Sequence, residues 1–143
     1  MKLRLYDRAD ASEVLRLWNT AGVAAGYAPL DADKLDALLL AHPAFCAEST
    51  FVLEESGAVC GFAAGCTGDS LAQGAVRGYV SCVLLDASCD TSENTAALLG
   101  AIDGSFRARG KSVAAVTFFN PLRLPWIIPG TDGHQHNNMP GIP

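Results

Sequence analysis

The chain has 143 residues, half of them hydrophobic, with a mean hydropathy of +0.21, a net charge of −5 and a pI near 5.0. That length builds one domain with a sizeable core, and an acidic balance without a basic face argues against nucleic acid, whose counterion release needs clustered Lys and Arg. No apolar run approaches the roughly 20 residues of a membrane span, and the opening MKLRLYDRAD lacks an apolar signal region, so the expected location is the cytoplasm.

Leu3–Tyr6 alternates apolar with polar side chains and reads as a short first strand. Asp10 and Glu13 form a D-x-x-E capping pattern, after which Val14, Leu17, Trp18 and Ala21 recur at helical spacing. The spacing predicts a helix from about Ala11 to Thr20, followed by a loop over Ala21–Pro29. Asp31 or Asp33 caps a second helix, with Leu35, Leu38 and Leu39 on one face and Pro43 as its stop. Ser49–Leu53 and Val59–Ala64 flank Glu54-Glu55-Ser56-Gly57 and predict a hairpin, in which the two glutamates read as solvated turn charges. Gly61 and Gly65 suggest a bulge or a close backbone approach. Thr67–Val76 reads as a loop.

Tyr79–Leu85, a polar turn, a helix-like segment to Arg109 and Val113–Phe119 then form a βαβ unit, whose two strands should be parallel. Asp90 reads as the cap of its helix, with Glu93 three residues on. Leu98, Leu99, Ile102 and Phe106 make the buried stripe, and Gly110 follows as the C-terminal stop. Cys46, Cys60, Cys66, Cys82 and Cys89 are odd in number without a C-x-x-C pair, which suits buried reduced thiols. Cys89, at a helix N-terminus, is the one placed for a lowered pKa. Residues 120–143 hold five of the seven prolines together with Leu122, Leu124, Trp126, Ile127 and Ile128. Such a tail is too apolar for a solvated linker and should lie across a surface or meet a partner. Asp132, His134 and His136 read as turn residues rather than as a metal site, which wants four ligands.

The order strand, two helices, hairpin, strand, helix, strand resembles the GCN5-related N-acetyltransferase (GNAT) family. The stretches LRLYDRADASEVLRLWNTAG, FVLEESGAVCGFAAG and YVSCVLLD…ALLGAIDGSFRARGKSVAAVTFF carry the resemblance over a domain of residues 1–119. It implies an α/β chain with a mixed sheet, of order β-α-α-β-β-β-α-β, whose central parallel strands splay to admit the pantetheine arm of acetyl-CoA. Val83, Leu84, Leu85, Asn94 and Thr95 stand at the positions that hold the coenzyme in that family.

The family's Q/R-x-x-G-x-G/A motif falls on Asp90–Thr95, where Asp90, Glu93 and Thr95 replace its cation and both glycines. Those glycines let backbone N–H groups approach the pyrophosphate. A carboxylate about 4 Å from a phosphate instead costs about 1 kcal/mol in water and about 4 near a protein surface. The family's general-acid tyrosine lies beyond the fifth strand, whereas the tyrosines here are Tyr6, Tyr27 and Tyr79. The resemblance therefore implies a non-catalytic, degenerate first half of a tandem N-acetyltransferase. Residues 120–143 would be the junction to a second GNAT domain, or a surface for self-association through Leu122, Leu124, Trp126, Ile127 and Ile128. Acetyl-CoA is then the coenzyme of the full-length protein and is not bound by this chain. Two alternatives stand beside this: weak CoA binding through the backbone of Val83–Leu85, and a non-enzymatic ligand-binding or assembly module.

Overall fold

The computed structural model describes residues 1–68 and 76–111, and the backbone of 113–116. The tail expectations, including Trp126 and the His134/His136 pair, lie outside the described residues, as does most of the Thr67–Val76 loop.

Among the described residues, five strands form one sheet in the order β1 (Lys2–Leu5), β2 (Phe45–Glu55), β3 (Ala58–Cys66), β4 (Arg77–Leu85) and β5 (Val113–Val116). The first four are antiparallel neighbours, and β4 pairs with β5 in parallel, from Arg77↔Val113 to Val80↔Val116. Helices α1 (Ala11–Leu17) and α2 (Ala32–Leu35) precede the hairpin, and α3 (Ser92–Ala108) joins the parallel strands. This is the mixed sheet that the element order implies. Among the described residues, no helix is long and apolar enough to cross a membrane.

The sheet is buried on both faces, because alternate residues of β2–β4 feed two separate cores. Val14, Leu17 and Trp18 of the first helical segment pack with Leu35 and Leu39 over Val52, Phe62, Cys82 and Leu84. On the other face Leu98, Ile102 and Phe106 of α3 pack over Leu53, Ala63, Val80 and Leu85. The helical stripes predicted by spacing are thus the buried ones. Gly78 lets α3 approach: a Cβ there would stand 2.5 Å from the Phe106 ring.

The hairpin turns on Ser56-Gly57, with φ of +53° and +80°. Two consecutive positive φ angles match a type I′ turn, whose twist suits the flanking strands. The strands run closer to this turn than the sequence suggests. Glu54 lies in β2 and bonds Arg4 Nε at 3.0 Å instead of standing free in the turn. Bulges interrupt the ladder at Leu53/Glu54, at Ala64/Gly65, and most widely between Cys46 and Phe51. Gly65 serves a close approach, since a Cβ there would meet the Ser49 carbonyl oxygen at 2.4 Å.

Three helix boundaries differ from expectation. The first helix does not stop at Thr20: its backbone continues through a wider turn at Trp18–Gly22, as the Val23 N–H bond to Trp18 O over five residues shows. The expected loop is also stapled down, by Trp18 Nε1 to Ala28 O at 2.8 Å and by two bonds between the Asn19 amide and the Leu30 backbone. Asp10 does not cap α1 with its side chain, because Arg4 takes both carboxylate oxygens at 2.9 Å. The cap of α3 is Thr91 rather than Asp90: Thr91 Oγ1 accepts the Asn94 N–H at 3.1 Å. A side-chain oxygen caps only from an extended backbone position next to the first turn, and Thr91, not Asp90, occupies it.

Candidate functional site

At the carboxyl end of β4, the end of α1 faces the turn that leads into α3, and a cleft opens between them. It comprises a space of about 420 Å³ lined by Thr20, Ala21, Ala24, Leu85, Asp86 and Asp90. A space of about 240 Å³, reaching Val83, Leu84 and Thr95, shares Ala21, Ala25, Leu85 and Asp90 with the first. Small residues build one wall. Alanines at 21, 24 and 25 keep the helical end low, and Gly22 lets it sit on β4, since a Cβ there would already touch Leu84 at 3.3 Å. The opposite wall is the β4–α3 turn.

The turn spends its N–H groups on itself. Cys89 N–H bonds Asp86 O, Thr91 N–H bonds Cys89 O, and Thr95 N–H bonds Thr91 O, each at 2.9–3.0 Å. Asn94 gives its N–H to the Thr91 cap and its side-chain amide to Cys89 O at 2.8 Å. An anion arriving at this helix start would find Ser92 and Glu93 N–H, with the Glu93 carboxylate beside them.

Charge completes the picture. Among the described residues, no Lys or Arg lines either space. Arg16 stands nearby but is committed: its Nη2 donates to Val59 O at 2.7 Å, and its guanidinium meets Asp86 at 3.4 Å and Glu13 at 3.2 Å. Those bonds, with Asp86 first, hold the Arg16 pKa above its ordinary value. Asp90 is exposed, and has neither a hydrogen bond nor an ion pair among the described residues. The cleft is therefore apolar at its floor and negative at its mouth.

Of the residues expected at coenzyme positions, Val83, Leu84, Leu85 and Thr95 line this cleft, while Asn94 is turned into the cap. The tyrosines lie elsewhere. Tyr27 is buried against Trp18, ring centroids 4.5 Å apart, and burial raises its pKa. Tyr79 is buried at the start of β4, and Tyr6 lies at the far end of the sheet. Cys89 is the clearest correction. Burial, together with its contact to Cys60, pushes its thiol up to about 12 instead of lowering it, and its Sγ donates to Cys60 O at 3.0 Å. A cysteine near a helix start gains thiolate character only if it faces the helix N–H groups and solvent, and this one faces into the core. Among the described residues, no cluster of three or more His, Cys, Asp or Glu could hold a metal ion.

Sequence reasoning ended the helix at Thr20 and assigned Ala21–Ala25, the rest of this wall, to a loop. The signal was present as A-G-V-A-A, a run of small residues that suits a helix end packed closely on a strand.

The chain has the acyl-CoA N-acyltransferase fold of the GNAT acetyltransferases. It is similar to the ribosomal-protein-alanine N-acetyltransferase of Brucella melitensis, with a TM-score of 0.65 and 18% identity over 82% of this chain and 74% of that one. A second Brucella melitensis structure, a GNAT family acetyltransferase in complex with acetyl-CoA, gives a TM-score of 0.63 and 20% identity over 79% and 72%. N-acetylglutamate synthase from Neisseria gonorrhoeae, complexed with coenzyme A and N-acetyl-glutamate, gives 0.62 and 17% over 81% of this chain but only 24% of that one. No family model and no curated protein matches the chain.

Proposed function

We propose that this chain is the non-catalytic GNAT-like half of a cytoplasmic N-acetyltransferase. In the whole protein a substrate amine attacks the thioester carbonyl of acetyl-CoA, CoA leaves as the thiol, and a second GNAT domain beyond residue 143 holds the coenzyme. This half contributes scaffold and surface. One observation carries the reading: at the place where a GNAT fold would receive the pyrophosphate, Asp90 has no partner among the described residues, and the N–H groups of Cys89, Thr91, Asn94 and Thr95 are bonded internally. Bringing a phosphate there means bringing it to a carboxylate without a neutralising cation. Five buried thiols suit a reducing compartment.

A weak coenzyme site is the second reading, favoured by the way Val83–Leu85 borders the cleft. Calorimetric titration of the chain with acetyl-CoA separates the two. Absence of heat up to about 1 mM is the expected result, and a Kd in the micromolar range (about −8 kcal/mol) would overturn the degenerate-half reading. The double variant Asp90→Arg with Glu93→Gly restores a cation and a glycine at the turn. It should bind at least about tenfold more tightly than the parent. The third reading, a non-enzymatic assembly module recruited through Trp126, Ile127 and Ile128, predicts no coenzyme binding in any variant.

A further inference from the structure

The wide bulge in β2 serves no purpose in the cleft, because it lies at the other end of the sheet. Between Cys46↔Gly65 and Phe51↔Ala63 the chain takes five steps on β2 against two on β3. Its residues are sorted sharply: Ser49 and Thr50 are 0% exposed, whereas Ala47 and Glu48 face outward. Buried hydroxyls are costly unless bonded, and here each is. Thr50 Oγ1 donates to Cys46 O at 2.8 Å and accepts the Gly65 N–H at 3.1 Å. Ser49 Oγ lies 2.7 Å from Ser105 Oγ of α3, and Ser105 Oγ approaches Glu48 O at 2.8 Å. Such a network rigidifies what it holds, and bulges of this kind re-aim side chains. What it holds out is Glu48.

Glu48 borders a cavity of about 610 Å³, within the size range of small-molecule sites. The rings of Tyr6 and Phe45 form a wall, meeting edge to face with centroids 5.8 Å apart, and Leu40 adds apolar surface. Arg8 comes from the β1–α1 turn and Asp36 from the end of the second helical segment. Both lie near enough to the Tyr6 phenol to act on it electrostatically, in opposite directions. Neither the Arg8 nor the Asp36 side chain has a hydrogen-bond or ion-pair partner among the described residues, and the Glu48 carboxylate receives only a long contact of 3.9 Å from Cys46 Sγ. A cation, two carboxylates and an aromatic wall thus surround one concavity without neutralising one another.

We propose that this cavity binds a free amino acid as its zwitterion. Arg8 receives the carboxylate through its planar fork of donors. Glu48 and Asp36 receive the ammonium, which the faces of Tyr6 and Phe45 also favour. The ligand side chain lies along Leu40 and Phe45. The site lies at the opposite end of the sheet from the cleft and does not depend on the acetyltransferase reading.

The test is an amide-resonance titration of the full chain with the individual proteinogenic amino acids, repeated with the methyl ester and N-acetyl form of the best ligand. Saturable shifts confined to Tyr6, Arg8, Asp36 and Phe45–Glu48 are expected, with affinity at least about tenfold lower for each blocked form. Arg8→Gln and Glu48→Gln should each weaken binding by about tenfold or more, while a well-dispersed spectrum shows that they still fold. The proposal is overturned by the absence of saturable shifts up to about 20 mM for every amino acid. Equal binding of the blocked forms, or unchanged binding in both variants, would overturn it as well.

Discussion

Arg4, like Arg16, is among the most heavily used side chains described. It bridges β2 and the start of α1, bonding Glu54 through Nε and Asp10 through both terminal nitrogens. Asp10 is 8% exposed and also accepts the Asp7 N–H. These bonds, the one from Arg4 foremost, hold the Asp10 carboxyl below the usual carboxylate range. A depressed folded-state pKa adds stability above the unfolded value of about 3.9, and that stability disappears as pH falls through the folded value. Asp10→Asn should therefore cost about 1–3 kcal/mol in urea denaturation at pH 7, with the gap to the parent narrowing below about pH 4. A gap that does not change with pH would mean that the carboxylate's charge is not what stabilises this corner. Gly65 is limiting for another reason. A methyl group there collides with a backbone oxygen, which has no rotamer to escape into, so Gly65→Ala should lose about 1–3 kcal/mol or more in the same measurement.

At the scale of elements, the start of α3 decides both stability and ligand chemistry. The Thr91 side chain satisfies one helix N–H, whereas Asp90 satisfies none among the described residues. Thr91→Ala should lower the midpoint of thermal unfolding in proportion to about 1 kcal/mol, and Asp90→Ala should stay within about 0.5 kcal/mol of the parent. The reverse ranking would return the cap to Asp90 and remove the free carboxylate from the cleft. Freed from capping, Asp90 is the residue that sets the sign of the cleft's mouth. The same element carries Phe106 onto Gly78 and Ser105 onto the β2 bulge, so α3 ties the cleft end of the sheet to the bulged end.

For the molecule as a whole, all five cysteines are buried, four of them in the two cores. Burial pushes Cys66 up to about 11 and Cys82 and Cys89 up to about 12. Thiolate is the reacting form, so a folded chain at pH 8 should react only slowly with a disulfide reagent such as Ellman's, and all five thiols should appear on unfolding in guanidinium. A single fast thiol in the native protein that disappears in Cys89→Ser would reopen the reactive reading of Cys89.

The sequence alone determined what depends on near neighbours. Strand alternation, the leucine and phenylalanine stripe of α3, the glycine-bearing hairpin turn and the helix stop at Gly110 all rest on residues within one or two turns of each other, and together they define the element order. The loss of the glycines and cation at Asp90–Thr95 was equally legible, because that motif is local. Tertiary structure decided the competitions. Asp10 and Asp90 each fitted a local capping pattern, yet Arg4 captured the first, and backbone direction at Thr91 displaced the second. Cys89 stands at a helix start, yet β3 brings Cys60 O to its thiol and turns it into the core. The bulge that presents Glu48 depends on Ser105, far along the chain, and the cleft wall at Ala21–Ala25 on the distant strand against which Gly22 packs. Arg4 lies only six residues from Asp10, and Thr91 is next to Asp90. The fates of Cys89, Glu48 and Gly22, however, turned on partners dozens of residues away, and a local pattern carries no information about which group will arrive.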